Sequence, residues 1–373
     1  MADHSRAQAF LTKMKDLDLD YLVAYFDGIH SFLEPNLVFL LTGFKSIGES
    51  MVLLQSNGLT TLITTPFWDA ERAKTNSNVS TILPTDDLIN TFKGFMELAK
   101  AGPDKIGFIG LTSIRQSSYC ELSSYFKNRL HLLDEHFVDF TACKTESELI
   151  KARKATWIAE RGYEKMLEIA RPGMYDYQLA GEIESFMKSL GADDNFFLMS
   201  ASSHNHAVRP PGRHRLEKGD IILAEISPSY GGQFTQICRS VVLGDQNRDP
   251  LLESYHLLVT ALERGIAIAK PGEKLSNVVQ AINEPLEEAG YGQYCRPPYM
   301  RVRGHGLGLS SFQPGDVSEA NHTVLQEGMF FVIHPNQYIP ETGYLLCGEP
   351  VLITSTGSQV LTKRKPSLDI IAV

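Results

Sequence analysis

The chain has 373 residues, 43% of them hydrophobic and 21% charged, with a formal net charge of -9 at pH 7. This length is enough for two or three domains with proper cores, and the acidic balance argues against a protein that binds nucleic-acid phosphates along a basic face. The five cysteines are scattered and include no Cys-x-x-Cys pair, which is typical of reduced thiols in a cytoplasmic protein. No apolar run reaches the roughly 18 residues that a membrane span needs. We therefore expect a globular, cytoplasmic chain that binds neither membranes nor nucleic acids.

Helix and strand patterns alternate over the first part of the chain. A helical stretch from Ala7 to Leu17 precedes an apolar run at 21–25. Asn57-Gly58 lies between two further apolar runs and predicts a β-hairpin turn. A short strand is predicted at 105–109 and a helix at 113–129. Together these elements predict an α/β domain over residues 1–143.

The pattern changes at Lys144, where a second domain is predicted over residues 144–373. Apolar residues recur at helical spacing from Thr145 to Ile169, and Thr145 with Glu148 forms a capping-box signature at the start of that helix. The other predicted elements of this domain are, in chain order, a helix at 177–190, strands at 220–224 and 236–243, helices at 250–269 and 276–289, and strands at 329–333 and 351–354. The fold class predicted for the whole chain is α+β.

Six short segments, taken in order, resemble those of a known family. They are Asn36–Phe44 (NLVFLLTGF), Lys144–Ile150 (KTESELI), Arg171–Met174 (RPGM), Lys218–Leu223 (KGDIIL), Gly304–Leu309 (GHGLGL) and Gln326–Phe330 (QEGMF). The ordered set resembles the creatinase/aminopeptidase-P/prolidase family. The resemblance implies a creatinase-type N-terminal domain, a C-terminal pita-bread catalytic domain and a homodimer.

The metal-binding positions of that family are altered in this chain. Its peptidases bind two metal ions through two Asp, one His and two Glu residues. The corresponding positions here are Glu225, Gln236, His305, His334 and Gly348, and a slip of one residue would make Glu349 the last of them. Two metal ions need bridging carboxylates, whereas glutamine is a weak neutral ligand and glycine supplies no side chain. We therefore predict that no metal cofactor is bound. A single zinc or iron ion at Glu225, His305 and His334 is the alternative.

A metal-independent member of the family, creatinase, supplies the other precedent. By this resemblance we predict that His206 acts as general base and then as general acid, because a histidine with a near-neutral pKa can accept a proton and return it. His204 is the second choice. Four further catalytic residues would orient the substrate and stabilise transition-state charge, namely Glu225, His305, His334 and Glu349.

Other residues are predicted to line the substrate pocket. Phe312 occupies a family histidine position and makes one wall apolar, while Arg303 and Tyr299 precede the glycine motif and are candidates for binding a substrate carboxylate. Cys238 replaces a creatinase glutamate, so we do not expect creatine to be the substrate. The predicted substrate-binding residues are Gln236, His204, Phe312, Arg303, Tyr299 and, reaching from the partner subunit of a dimer, Glu49.

The sequence thus predicts a creatinase-like hydrolase that cleaves a C–N bond of a small polar or zwitterionic molecule without a metal. Two alternatives stay open. One is a metal-dependent Xaa-Pro-type peptidase or lyase with a rebuilt mononuclear site. The other is a non-catalytic protein that binds peptides with the same fold.

Overall fold

A computed structural model describes residues 4–136, 140–244, 248–311 and 314–373. The chain divides into two units, one of Met1–His30 with Pro35–Thr141 and one of Ser31–Glu34 with Ala142–Val373. Within the described ranges, no helix has both the length and the apolar character needed to span a membrane. The predicted fold class is confirmed: a mixed α/β unit precedes a pita-bread unit.

The first unit contains a six-stranded mixed sheet. Its strands are β1 (Tyr21–Phe26), β2 (Ser50–Gln55), β3 (Thr60–Thr64), β4 (Thr81–Pro84), β5 (Ile106–Ile109) and β6 (His131–Leu132), arranged in the order β4-β3-β2-β1-β5-β6. The predicted hairpin at Asn57-Gly58 is confirmed, since β2 and β3 pair antiparallel. The helices are α1 (His4–Asp16), α2 (Leu37–Thr42), α3 (Ala70–Asn76), α4 (Leu88–Ala99) and α5 (Gln116–Tyr125). Val23, Phe92 and Phe108 lie in the buried core of this unit.

The second unit begins with two helices that pack on a sheet. They are α6 (Glu146–Ile169) and α7 (Asp176–Ser189). The predicted capping box is confirmed, because the Thr145 hydroxyl accepts from the Glu148 backbone N–H while the Glu148 carboxylate accepts from that of Thr145. The sheet contains β7 (Asn195–Ser202), β8 (Ile221–Tyr230), β9 (Gln233–Phe234), β10 (Ile237–Leu243) and later β17 (Asp369–Ile371). Tyr163, Ile183 and Ala224 lie in the core between the helices and one face of this sheet.

A second helix pair and a second sheet follow in the same unit. The helices are α8 (Arg248–Ile268) and α9 (Leu275–Glu288), and the strands are β11 (Gly304–Gly306), β12 (Phe330–Ile333), β13 (Gln337–Ile339), β14 (Gly343–Leu345), β15 (Glu349–Ile353) and β16 (Ser358–Val360). Strands β11, β12, β15 and β16 form one antiparallel sheet, and β13 pairs with β14. Leu258, Ile282 and Ile333 belong to its core. Helices α6 and α7 thus cover one face of the first sheet, while Ile221, Leu223 and Cys238 on its other face join the core that contains the second helix pair.

Candidate active site

Glu225 stands out on strand β8. Every residue of this strand from Ile221 to Ser229 is buried except Glu225, which is partly exposed. Its neighbours across the sheet are Leu198 on β7 and Cys238 on β10, and Cys238 in turn bridges to Gly348. Because directly paired residues present their side chains on the same face of a sheet, Glu225 and Cys238 share the face that points away from α6 and α7.

The surroundings of Glu225 favour its neutral form. Asn336 donates a hydrogen bond from Nδ2 to Oε1 of Glu225 at 3.3 Å, and no lysine, arginine or histidine of the described ranges forms an ion pair with this carboxyl. Burial raises the pKa of Glu225 to about 7, and the Asn336 bond opposes this only in part. A carboxyl with that pKa can both accept and donate a proton near neutral pH.

His305 and His334 supply two neutral imidazoles. His305 is on β11 and pairs with Val332 on β12, and His334 lies two residues beyond Val332, so both rings are on one face with their centroids 5.9 Å apart. Burial lowers the pKa of His305, and burial with the nearby His305 and Arg303 lowers that of His334 to about 3. Nδ1 of His305 lies 2.9 Å from the Gly306 carbonyl, so it carries the ring proton and leaves Nε2 as an acceptor.

Gln236, just before β10, and Cys238, on β10, lie on the same face of the sheet as Glu225. Both are buried, and Nε2 of Gln236 lies 3.6 Å from Sγ of Cys238. Burial, with Glu225 nearby, raises the pKa of Cys238 well above that of a free thiol, so the sulfur is protonated and unsuited to act as a nucleophile. Oε1 of Gln236 is buried without a hydrogen-bond partner among the described residues, so it is an acceptor whose hydrogen bond the protein does not supply there.

Glu349 does not share the face that carries His305 and His334. Glu349 pairs with Ile333, one register step away from His334, and therefore points to the opposite face of its sheet. There Arg239 donates to its Oε1 at 2.5 Å and Thr362 to its Oε2 at 2.5 Å, with both charged side chains about 1% exposed. Of the two candidates for the last family position, Gly348 is on the site face and Glu349 is part of a buried ion pair.

Arg303 is also placed differently from the sequence prediction. It is 1% exposed and donates to Oδ1 of Asn283, to the Asn336 carbonyl and to Oε1 of Gln337, at 2.7, 2.9 and 3.0 Å. All three acceptors are neutral protein groups, and the buried guanidinium is not exposed to a substrate carboxylate. Arg303 instead holds the backbone of the residue that hydrogen-bonds Glu225.

The predicted residues His204, His206 and Tyr299 meet in an aromatic cluster. Its centre is Tyr338, which stacks on His206 and Tyr299 with centroids 5.7 and 5.6 Å away and also contacts the edges of His204 and Tyr294. His206 is exposed, and Tyr299 is 47% exposed. The cluster connects to the Glu225 region through strand pairing, since Tyr338 lies opposite Tyr344 and the charge of Glu225 helps to raise the Tyr344 pKa.

The structure does not test two of the predicted residues as parts of this site. Glu49 belongs to the first unit, where Tyr25 donates to its carboxylate at 3.0 Å and Arg115 approaches it at 3.4 Å. Phe312 lies outside the described residues. Sequence reasoning missed Asn336, Tyr338 and Tyr344, which follow His334 in a segment without helical or strand periodicity. The only available signal was their position immediately after the predicted His334.

Comparison with known proteins decides the family. The sequence model of Metallopeptidase family M24 matches residues 151–355, more than half of the chain. The chain belongs to this family. The resemblance to the creatinase/aminopeptidase-P/prolidase group is therefore confirmed at the level of the M24 family.

Named M24 relatives match along most of the chain. A Xaa-Pro dipeptidase of Pyrococcus furiosus is 27% identical over 340 residues, which cover 90% of this chain and 93% of the relative. Among solved structures, an X-Pro aminopeptidase of Thermotoga maritima matches with a TM-score of 0.85 at 22% identity, covering 98% of this chain and 99% of that one. The Pyrococcus horikoshii prolidase matches with a TM-score of 0.82 at 24% identity, covering 98% and 100%. These structural matches establish the fold.

The site residues do not fit the pair of metal ions that the name of the M24 family implies. Within the described part of the chain, no three histidine, cysteine, aspartate or glutamate side chains are grouped so that they could hold a metal ion. Glu225 is the one carboxyl on the site face at the matched positions, and its pKa of about 7 leaves it partly neutral at physiological pH. A dinuclear centre requires several ionised carboxylates to balance its charge, and this donor set does not supply them.

Gly348 shows why a carboxylate cannot simply be restored at the last family position. A Cβ atom there would lie 2.6 Å from Cβ of His334 and 2.9 Å from Sγ of Cys238. We therefore expect Gly348→Ala to lower the free energy of unfolding by about 1–3 kcal/mol, the usual cost of overpacking a core. Urea denaturation would measure this, with Gly357→Ala as the matched control, because a Cβ at Gly357 meets nothing within 4 Å. Equal stability of the two variants would contradict the close packing described for Gly348.

Proposed function

We propose that this member of the M24 family hydrolyses an amide C–N bond of a small peptide-like or zwitterionic molecule, without a metal, and that Glu225 moves the proton. The observation that carries the proposal is the single partly exposed carboxyl on an otherwise buried strand, with a pKa raised by burial to about 7. Acid–base catalysts work best when their pKa lies near the operating pH. The chemistry then resembles that of creatinase in needing no Lewis acid.

The proposed reaction has two proton transfers through one carboxyl group. The Glu225 carboxylate removes a proton from water as the water oxygen adds to the carbonyl carbon. Neutral His334 donates an N–H hydrogen bond to the developing oxyanion, since its pKa is lowered by burial and its imidazole keeps one ring proton. Glu225 then returns its proton to the leaving nitrogen as the C–N bond breaks, which regenerates the carboxylate.

The base is assigned to Glu225 and not to His206, which the sequence favoured. His206 is exposed, and its ring stacks on Tyr338 in the aromatic cluster. A base shielded from bulk water acts on a substrate-bound water more effectively than one on the surface. In this proposal His206 and Tyr299 contact the substrate at the edge of the site.

The size and type of the substrate are inferred from the relatives. The matched Pyrococcus furiosus protein is named a Xaa-Pro dipeptidase, and the match covers 93% of its length. We infer a dipeptide-sized amide, and the half-exposed rings of the aromatic cluster favour a flat or cyclic group next to the scissile bond.

A metal-dependent Xaa-Pro-type peptidase is the second candidate. The names of the relatives favour it, since the family is described as metallopeptidases and the matched relatives as Xaa-Pro dipeptidases. In this candidate Glu225, His305 and His334 would hold a single ion, and they would have to move closer together to do so, because the described residues include no preformed group of three ligands. The two candidates differ in one measurable property, the dependence of turnover on metal.

The deciding experiment is a hydrolysis assay on protein stripped with EDTA and 1,10-phenanthroline. The substrates are Ala-Pro, Met-Pro and the corresponding Xaa-Ala dipeptides, with amine release as the readout. We expect hydrolysis that changes less than about twofold after stripping and after addition of zinc, manganese, cobalt or iron. Loss on stripping and recovery with one of these ions would establish the second candidate instead. Saturable dipeptide binding without any turnover would contradict both and indicate a binding protein.

A further inference from the structure

A strongly basic segment lies in this acidic chain. The twelve residues from His204 to Arg215 include three arginines and three histidines and no aspartate or glutamate, although the whole chain has a formal charge of -9. The segment connects β7 to β8. Of this segment only His206 has a place in the proposed reaction, as a substrate contact, so the charge of the arginines needs a separate explanation.

This segment forms one wall of a cavity of about 540 Å³. Arg209 and Arg213 line the cavity together with Ser200 and Ser202 of β7. Pro210 and Pro211 lie between the two arginines, and the Gly212 N–H donates to Oδ2 of buried Asp176 at 3.0 Å. Because proline fixes its own backbone torsion, the backbone between the two arginines is restrained.

The positive charges of the two arginines are not neutralised by the protein. Arg209 and Arg213 are exposed, and neither forms a hydrogen bond or an ion pair with any residue that the structure describes. Both guanidinium groups are therefore available to a ligand.

Three other ionisable groups lining the cavity already have hydrogen-bond partners, whereas His206 has none among the residues that the structure describes. The Asp176 carboxylate accepts from the Gly212 and Tyr177 N–H groups, at 3.0 and 2.8 Å. His214 contacts Asp220 at 2.7 Å, and Nε2 of His204 lies 3.0 Å from the Pro340 carbonyl. The ring of His206 stacks on Tyr338, which leaves its nitrogens free to hydrogen-bond. The balance of charge in the cavity is positive.

We propose that this cavity binds a compact dianion, inorganic phosphate or the phosphate group of a monoester. Guanidinium groups bind phosphate oxygens through paired hydrogen bonds, and the two arginines offer two such sets of paired donors. A simple carboxylate has two oxygens and could occupy the paired donors of only one arginine. The His206 ring connects the bound anion to Tyr338, at the edge of the candidate active site.

The test is calorimetric titration of the full chain, dialysed free of phosphate, with sodium phosphate in 0.15 M NaCl. We expect saturable binding that weakens at least about tenfold in Arg209→Ala/Arg213→Ala. The matched control is Arg153→Ala/Arg264→Ala, which removes the same charge from exposed positions on α6 and α8 and should change the affinity less than about twofold. Arg209→Lys/Arg213→Lys keeps the charge without the planar fork and should give an intermediate loss.

Further titrations define the ligand. Glycerol 3-phosphate binding more tightly than phosphate would identify a monoester as the preferred ligand, and the reverse order would identify inorganic phosphate. Acetate binding as tightly as phosphate would overturn the assignment to a dianion. The proposal also fails if the wild-type protein shows no saturable phosphate binding, or if both double alanine variants lose the same affinity. These results do not depend on hydrolytic activity, so they stand whether or not the proposed reaction is correct.

Discussion

Replacing Glu225 with glutamine is expected to lower kcat by about 10²–10⁴-fold, the range that a positioned acid–base group contributes. The amide keeps the size of the side chain and the acceptor for Asn336, but it cannot take a proton from water. In the wild-type protein, kcat/KM should rise as the pH increases through about 7, where burial places the pKa of the Glu225 carboxyl. Steady-state hydrolysis of the active dipeptide between pH 5 and 9 measures both effects.

His206→Ala should retain turnover and chiefly raise KM. If it abolished kcat while Glu225→Gln did not, the base would be His206.

A stability measurement shows whether Glu225→Gln loses activity because its chemistry is lost or because the protein unfolds. The folded-state pKa of Glu225 is raised from 4.5 to about 7, so folding favours the protonated form. Wild-type stability therefore falls as the pH rises from about 4.5 through 7. Glutamine does not ionise, so the variant should gain up to about 3 kcal/mol over wild type at pH 8 and nothing at pH 4. Glu184→Gln is the control: burial also raises the pKa of this carboxyl, but it is on α7 and should leave kcat unchanged. An inactive Glu225→Gln protein that was less stable at pH 8 would contradict the catalytic assignment.

Some of this site could be predicted from the residues alone. Glu225 follows the apolar run from Ile221 to Ala224. Burying a carboxylate there without a hydrogen-bond or ion-pair partner costs folding free energy, which marks the residue as a candidate for function. The capping box at Thr145 and the turn at Asn57-Gly58 were equally predictable, because each depends on contacts between residues close in sequence. The predicted helices of the second unit agree with α6 to α9 within two residues at each end for the same reason.

The other features of the site depend on contacts between residues far apart in sequence, which sequence patterns do not reveal. A one-residue shift of a strand turns its side chains to the other face, so the sequence could not distinguish Gly348 from Glu349. Asn336 and Tyr338 belong to a segment with no periodicity, and their roles follow from partners more than 30 residues away in sequence or on another sheet. Arg303 illustrates the same limit, since its acceptors lie in α9 and near β13.

Breaking the buried ion pair of Arg239 and Glu349 is expected to lower the free energy of unfolding strongly and to leave catalysis unchanged. Glu349→Ala leaves the guanidinium of Arg239 about 1% exposed and without its carboxylate, and removal of one member of a buried pair typically costs about 3–5 kcal/mol. It also removes the acceptor of Thr362. We expect a loss of that size in urea denaturation, with kcat per folded molecule little changed because Glu349 points away from the site face.

A double substitution makes this prediction specific to the ion pair. Replacing both charges, as in Arg239→Met/Glu349→Leu, removes the unpaired buried charge and should recover most of the stability lost in Glu349→Ala, since well-packed apolar replacements of buried ion pairs are often neutral. The four free energies of unfolding form a mutant cycle, completed by Glu349→Leu and Arg239→Met, whose coupling term isolates the pair. A Glu349→Leu protein that stayed stable but lost turnover would instead place Glu349 in the catalytic group. If the pair is structural, as its strand register and its partners indicate, the acid–base chemistry of this chain depends on Glu225 alone among the carboxyls at the matched metal positions.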